Sequence, residues 1–156
     1  MLKSLTLPQT MLAVFSITLA VILGAWAFQL YGYEPCELCL KQRWAYYAVV
    51  PLSALFASLA KSNPNLLRTG LILLGLVMLA SCIFGIYHSG IEWKFWAGPT
   101  QCTGGDTFKS VLPDLSKPAV MCDQPAIRIL GISLAGYNAL ISAFVAWLCF
   151  NKAARN

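Results

Sequence analysis

Four long runs of apolar residues alternate with more polar stretches along the chain. The runs cover residues 11–30, 44–60, 69–87 and 129–150, and none of them contains a Lys, Arg, Asp or Glu. A helix that spans a bilayer needs about 20 predominantly apolar residues. None of the runs shows the 3.6-residue alternation of apolar and charged positions that marks the surface helix of a soluble protein. The pattern predicts an all-α integral membrane protein, with one domain over residues 1–156 that forms a four-transmembrane-helix bundle.

The composition favours the same class of protein. Hydrophobic residues make up 58% of the chain and charged residues only 11%, far from the balance of soluble proteins. The first run follows Lys3 and contains Ala25-Trp26-Ala27, as a signal peptide would. However, it is longer than the roughly 7 to 15 apolar residues of a signal core, so we expect a retained helix. We expect the lipid bilayer, and no nucleic acid, around this protein.

The charged residues predict an orientation. Four helices place both termini and the link 61–68 on one side of the membrane, and loops 31–43 and 88–128 on the other. The first side holds five of the 11 basic residues in far fewer positions, and all six acidic residues lie on the second side. Because basic residues concentrate on the cytoplasmic side, we predict cytoplasmic termini and two outer loops that face an oxidising space.

Four of the six cysteines lie in those outer loops, which suits disulfide chemistry outside the cytoplasm. Cys36 and Cys39 are in the short loop, and Cys102 and Cys122 are in the long one. The other two, Cys82 and Cys149, lie within apolar runs, where a cysteine usually serves as a small packing residue.

The short loop has the pattern of a reactive site. A Cys-x-x-Cys disulfide closes a small ring, and strained disulfides tend to be redox-active. We expect Cys39 to sit at a helix start, where unpaired N–H groups favour a thiolate. Arg43 lies four residues on, on the same helical face, and its charge would stabilise the thiolate or an anionic acceptor. The alternatives are a structural staple or half a zinc site for the cysteines, and a headgroup anchor for Arg43. Because the other outer cysteines are not clustered, we predict no metal site.

The long loop presents Cys102 on a Gly- and Pro-rich stretch that a partner protein can reach. A bond between Cys102 and Cys122 would close a loop of about 20 residues, and the spacing leaves open whether it is a staple or a redox relay. Residues 108–115 between them predict a short interfacial helix that ends near Pro113.

Two polar residues near helix ends have open interpretations. His88, at the outer end of the third run, either passes protons to a reduced acceptor or caps the helix at the interface. Asn138 is expected to join closely packed helices, together with Gly131, Ala135 and Gly136.

These features resemble the disulfide bond formation protein B (DsbB) family, whose members are quinone-linked thiol oxidases of the bacterial inner membrane. The resemblance covers essentially the whole chain. It is carried by the four helices, by Pro35-Cys36-x-x-Cys39-x-x-x-Arg43 at the opening of the second helix, and by the long outer loop with its two cysteines.

The resemblance implies a path for thiol exchange. A reduced periplasmic thioredoxin-fold oxidase, DsbA-like, would attack a Cys102–Cys122 disulfide and form a mixed disulfide at Cys102. Cys122 would then exchange with Cys36, and the electrons would reach Cys39. The segment 97–103 brackets Cys102 and is the expected partner-binding strip.

The resemblance also implies a quinone, ubiquinone or menaquinone, bound near the outer end of the helices without a covalent bond at rest. Cys39 would contact it, Arg43 would stabilise the thiolate–quinone complex, and His88 is a further candidate contact. Thiol exchange moves electrons only between sulfur atoms, so net disulfide production needs such an acceptor. No Gly-x-Gly-x-x-Gly motif for a nucleotide or flavin occurs.

Two other functions stay open. A paralogous oxidase that serves a dedicated partner would have the same sequence features. A four-helix scaffold with structural disulfides, similar to tetraspanins, would be expected to carry Cys-Cys-Gly in its large loop, and this sequence has none.

Overall fold

The structure, a computed structural model, describes residues 5–59, 63–99 and 121–155. These residues form four helices and one small sheet, in the order α1 Leu7–Leu30, α2 Glu37–Leu59, α3 Pro64–Glu92, β1 Arg128–Ile129, β2 Ile132–Ser133 and α4 Leu134–Arg155. The predicted all-helical class is confirmed. Cys102 and the predicted interfacial helix at 108–115 lie outside the described residues.

Three of the helices, α1, α3 and α4, are long and apolar enough to cross a membrane. The chain is therefore a membrane-spanning protein. The second helix is less apolar, because Glu37, Lys41, Gln42 and Arg43 occupy its first two turns. That α2 also spans, which would complete the four-span bundle, stays a prediction.

The first three helices begin before the apolar runs do, because local polar residues cap them. Thr6 forms a capping box with Gln9, in which each side chain accepts a hydrogen bond from the other residue's backbone N–H. Asn63 caps α3 by accepting the backbone N–H of Leu66 at 3.2 Å, and Pro64 follows at the first helical position, where a missing N–H costs nothing.

The predicted start of the fourth helix at Ile129 is wrong. Residues 128–133 form an antiparallel hairpin in which Ile129 pairs with Ile132. The two residues between them, Leu130 and Gly131, both have positive φ, as a two-residue type I′ turn requires. Gly131 therefore serves this turn and not the helix packing that we expected, and α4 begins only at Leu134.

The helices pack in antiparallel pairs, with α3 against α4 and α1 against α2 as the most extensive contacts. The first pair approaches closely at Gly85, where an added Cβ would lie 2.9 Å from the backbone nitrogen of Ala139. The main core is mostly apolar and includes Met11, Leu74 and Val145, which are completely buried.

One polar network crosses this interior. The Tyr46 hydroxyl of α2 donates to Asn138 Oδ1 of α4 at 2.6 Å and lies 3.1 Å from the Ser142 hydroxyl. Ser142 in turn donates to the Ser81 hydroxyl of α3 at 3.1 Å. The predicted role of Asn138 as a polar contact between helices is confirmed.

The two ends of the bundle differ. At one end, Lys152 near the end of α4 donates to the carbonyl oxygen of Leu5 at 2.9 Å. At the other end, the start of α2 meets the end of α3 through Cys36 and His88. The cysteines of the short loop thus lie at the end opposite to the start of α1 and the end of α4.

Candidate active site

Cys36 is the N-cap of α2. Its carbonyl oxygen accepts the first helical hydrogen bond, from the N–H of Leu40 at 3.1 Å, and its Sγ accepts the N–H of Cys39 at 3.2 Å. A cap side chain normally satisfies the third helical N–H in this way. The unpaired N–H groups of the helix start therefore act on Cys36.

The two thiols face each other. Cys36 and Cys39 are free cysteines whose Sγ atoms are 2.8 Å apart and share a hydrogen bond. A disulfide needs an S–S distance of about 2.05 Å, so a small side-chain movement separates the dithiol from the disulfide. Cys36 is 5% exposed, whereas Cys39 is half-buried.

The ionisation of the pair is unequal. The hydrogen bond from the Cys39 thiol, aided by His88, lowers the pKa of Cys36 from 9.0 to about 5, against the opposing effect of burial. The same hydrogen bond and burial raise the pKa of Cys39 well above its usual range. Our expectation that the helix start favours a Cys39 thiolate is therefore wrong for the reduced pair, because the hydrogen bond between the two sulfurs and burial raise the pKa of Cys39.

His88 completes this cluster from the last turns of α3. It is fully buried, and its Nε2 lies 3.6 Å from Cys36 Sγ. The same Nε2 lies 3.9 Å from Oε1 of Glu92, four residues on along the same helical face. His88 is therefore positioned to exchange a proton with Cys36.

Cys122 is buried in the same place. It forms an apolar cluster with Cys36, Leu38 and Ile91, against which Cys39 packs. Cys122 is disulfide-bonded; its predicted pairing with Cys102 lies outside the described residues. The cluster brings a disulfide sulfur next to the free pair.

The segment that carries Cys122 is fastened to the residues that follow α3. Lys94 forms an ion pair with Asp123, and the Arg128 guanidinium lies 5.2 Å from the centre of the Trp93 ring, within the range of a cation–π contact. Lys94 has a positive φ of 62°, which turns the chain back toward this segment after α3 ends. These contacts hold Cys122 beside Cys36.

On the other side of Cys39, a cavity of about 430 Å³ lies between α1, α2 and α4. Most of its walls are apolar, including Val21, Phe28 and Ile141, and its polar wall includes Cys39, Gln42 and Arg43. Its volume lies in the range of small-molecule sites, which are mainly apolar with a few placed polar groups.

Two polar side chains of α2 shape that wall. Arg43 donates to Oε1 of Gln29 at 2.7 Å and to the carbonyl oxygen of Ala25 at 3.3 Å, so α1 holds its guanidinium at the cavity. Among the described residues, no carboxylate forms an ion pair with Arg43. Gln42 is buried, and within the described ranges its Nε2 has no hydrogen-bond partner.

The structure thus divides the predicted residues between two places. Cys36, Cys122 and His88 form the buried cluster, and Arg43 lies at the cavity with Cys39 between the two. His88 is not among the cavity-lining residues, so its predicted contact with a quinone stays a prediction.

Sequence reasoning missed Glu92 and Gln42. The i, i+4 spacing of His88 and Glu92 was the available signal for the first, and the position next to Arg43 was the signal for the second.

A membrane-spanning helical protein with a reactive dithiol and an adjacent disulfide has the parts of a membrane thiol–disulfide oxidoreductase. Comparison with known proteins gives the particular family. The sequence profile described as "Disulfide bond formation protein DsbB" matches residues 8–151, and the chain belongs to that family.

Individual relatives agree with this assignment. The chain is similar to "Disulfide bond formation protein B 1" of Pseudomonas entomophila, with 34% identity over 83% of this chain and 78% of the relative. The protein of the same description in Pseudomonas putida is 33% identical over the same shares. An uncharacterised protein of Rickettsia prowazekii is 29% identical over 81% of this chain and 77% of its own length. No solved structure matches the chain.

Proposed function

We propose that this protein reoxidises a periplasmic thioredoxin-fold thiol oxidase of the DsbA kind and passes the electrons to a membrane quinone. The observation that supports this most is the position of Cys39. Its side chain contacts the Cys36 thiol and also lines the cavity that contains Arg43. One residue therefore connects the thiol chemistry to a small-molecule site within the helices.

The cavity residues fit a quinone, whether ubiquinone or menaquinone. The apolar walls match a ring system with an isoprenoid tail, and the site lies between helices, where a lipid-soluble molecule can enter. The buried Gln42 Nε2 has an unused donor, as judged from the described residues, and such a group favours a carbonyl acceptor because an unpaired buried donor is costly. The Arg43 guanidinium supplies a fixed positive charge for an acceptor that becomes electron-rich.

Each exchange step transfers two electrons and two protons. The partner's dithiol gives two electrons and two protons to the Cys102–Cys122 disulfide, whose S–S bond breaks, and the partner leaves as a disulfide. The new dithiol reduces the Cys36–Cys39 disulfide in the same way, through a mixed disulfide between Cys122 and Cys36. The buried cluster that contains Cys36 and Cys122 supports this step.

A bound quinone would supply the final acceptor of two electrons and two protons, and would leave as the quinol. Toward it, Cys39 presents its sulfur at the cavity wall, Arg43 and Gln42 orient the acceptor, and the apolar walls exclude water. Cys36 holds the negative charge of the reduced pair until the disulfide forms again.

The proposal includes a location. The protein lies in the bacterial inner membrane with both termini in the cytoplasm, and the cysteine end of the bundle faces the periplasm. The basic residues near the termini, among them Lys152 and Arg155 in the last turn of α4, support this orientation.

The test combines the purified protein in detergent, a quinone and a reduced thioredoxin-fold partner, and follows quinone absorbance. We expect quinone reduction, which Cys39→Ser abolishes. Cys102→Ser should block the partner complex but leave quinone bound. Cys82→Ser, which alters a buried helix cysteine outside the cluster, is the matched control and should keep activity. No reduction above a control without protein would refute the proposal and favour a scaffold with structural disulfides.

A further inference from the structure

The free cysteine pair and His88 have the arrangement of a metal site. Cys36 Sγ, Cys39 Sγ and a ring nitrogen of His88 all lie within 4.8 Å of one another. Thiolate and imidazole are the usual ligands of Zn²⁺ in proteins. Two of these ligands come from the start of α2 and the third from the last turns of α3.

We propose that the reduced Cys36–Cys39 pair and His88 bind one thiophilic divalent ion of the Zn²⁺ class, and that the ion holds the pair in its reduced state. The binding site is inferred from the geometry of these residues alone. The consequence for catalysis rests on the proposed function, because a thiolate that ligates a metal cannot at the same time form a disulfide.

The distances fit with small adjustments. Zn–S bonds of about 2.3 Å and Zn–N bonds of about 2.0 Å at a tetrahedral angle place sulfur and nitrogen about 3.5 Å apart. The Cys36 Sγ to His88 Nε2 distance is 3.6 Å. Two zinc-bound sulfurs would be about 3.8 Å apart, so the sulfurs, now at 2.8 Å, must separate by about 1 Å. Cys39 has room for this movement because it lines the cavity.

Glu92 is the candidate fourth ligand. Its Oε1 lies 3.9 Å from His88 Nε2, and its side chain is 4% exposed. Its Oε2 is buried and has no hydrogen-bond partner among the described residues. A buried carboxylate oxygen without a partner is costly unless something compensates it, and a cation held by Cys36, Cys39 and His88 would do so.

Binding depends on the redox state of the pair. Metal ligation needs deprotonated thiols and releases their protons, and the disulfide form has no thiolate to offer. The site therefore exists only after the pair has been reduced.

The experiment measures metal directly in full-length protein that carries Cys102→Ser and Cys122→Ser, so that these two cysteines contribute no thiol. Zn²⁺ is titrated in competition with a coloured chelator, and Co²⁺ binding is followed by thiolate–cobalt absorption. We expect one ion per reduced chain and none per oxidised chain. His88→Ala and His88→Gln should each weaken binding at least about tenfold, and Glu92→Gln several-fold. Glu37→Gln removes an exposed charge close to the pair and is the control, with no expected change.

Equal binding by oxidised and reduced protein, or affinity unchanged in both His88 variants, would overturn the inference. The result is separable from the quinone assay. Metal binding by a protein that does not reduce quinone would support the site and count against the proposed function. Quinone reduction by a reduced protein that binds no Zn²⁺ would refute the metal site alone.

Discussion

The pKa of Cys36 should depend on its two side-chain neighbours. Three groups contact its sulfur: the Cys39 sulfur at 2.8 Å, the Cys39 N–H at 3.2 Å and the His88 ring at 3.6 Å. Together they lower the pKa from 9.0 to about 5. At about 1.4 kcal/mol per pH unit, this favours the thiolate by on the order of 5 kcal/mol.

A hydrogen bond to a charged group contributes about 1.5 to 3 kcal/mol, so His88→Ala should raise the pKa of Cys36 by about one to two units. Cys39→Ala removes the largest cause and should raise the pKa further, whereas Cys39→Ser keeps a hydroxyl donor and should raise it less. At pH 7, the wild-type thiol should be mainly ionised, because the pH lies above its pKa of about 5.

The assay follows the ultraviolet thiolate absorbance of reduced protein against pH, with a chelator present. A background in which Cys82, Cys102, Cys122 and Cys149 are all serine leaves only the pair to titrate. Unfolding in denaturant should return the transition to the ordinary cysteine range. A Cys36 that still titrates near 5 in both the His88→Ala and the Cys39→Ala proteins would refute this reasoning.

Three further predictions concern the cavity and the helix packing. Arg43→Ala removes the cationic side chain at the cavity and should raise the apparent KM for quinone about tenfold or more, while the KM for the partner changes little. Lys41→Ala is the control. An equal rise of both KM values in the Arg43→Ala protein would count against the role of Arg43. Tyr46→Phe breaks a buried hydrogen bond between helices and should lower the free energy of unfolding by about 1 kcal/mol, measured by denaturant unfolding in detergent; an unchanged value would mean that the network contributes no stability. Gly85→Ala forces a Cβ against the α4 backbone and should destabilise the protein by about 1 to 3 kcal/mol. Gly24→Ala is the control and should be tolerated, because nothing lies within 4 Å of the new Cβ. Equal unfolding midpoints for the two variants would contradict the close approach of α3 and α4.

The helices themselves could be predicted because apolarity over about 20 residues is a strong and local signal. The start of α1 could also be predicted in principle, since Thr6 and Gln9 have the spacing of a capping box. The hairpin before α4 could not be predicted in the same way. Its turn residues Leu130 and Gly131 lie inside a continuous apolar run, and a glycine there fits a membrane helix equally well.

The site was predictable only as far as local spacing reached. Cys36, Cys39 and Arg43 lie within two helical turns, so their relation follows from the helix alone. The contact between Cys36 and His88 joins residues 52 positions apart, and only the packing of α2 against α3 brings them together. The wrong assignment of the thiolate to Cys39 has a similar cause, because the pKa values of the pair depend on the hydrogen bond between the two sulfurs, on burial and on His88, and local spacing reveals none of these.

The unequal ionisation of the pair predicts how its oxidation depends on pH. The pKa of Cys36 is lowered and that of Cys39 is raised, so Cys39 is the member of the reduced pair that keeps its proton. Yet Cys39 is the member that lines the cavity, and its sulfur must lose that proton before it can react as a thiolate. The negative charge of the reduced pair therefore lies on Cys36, 2.8 Å from the Cys39 sulfur. Below the Cys36 pKa of about 5 this thiolate is protonated and neither sulfur is a strong nucleophile, so oxidation of the pair should slow there even at saturating quinone.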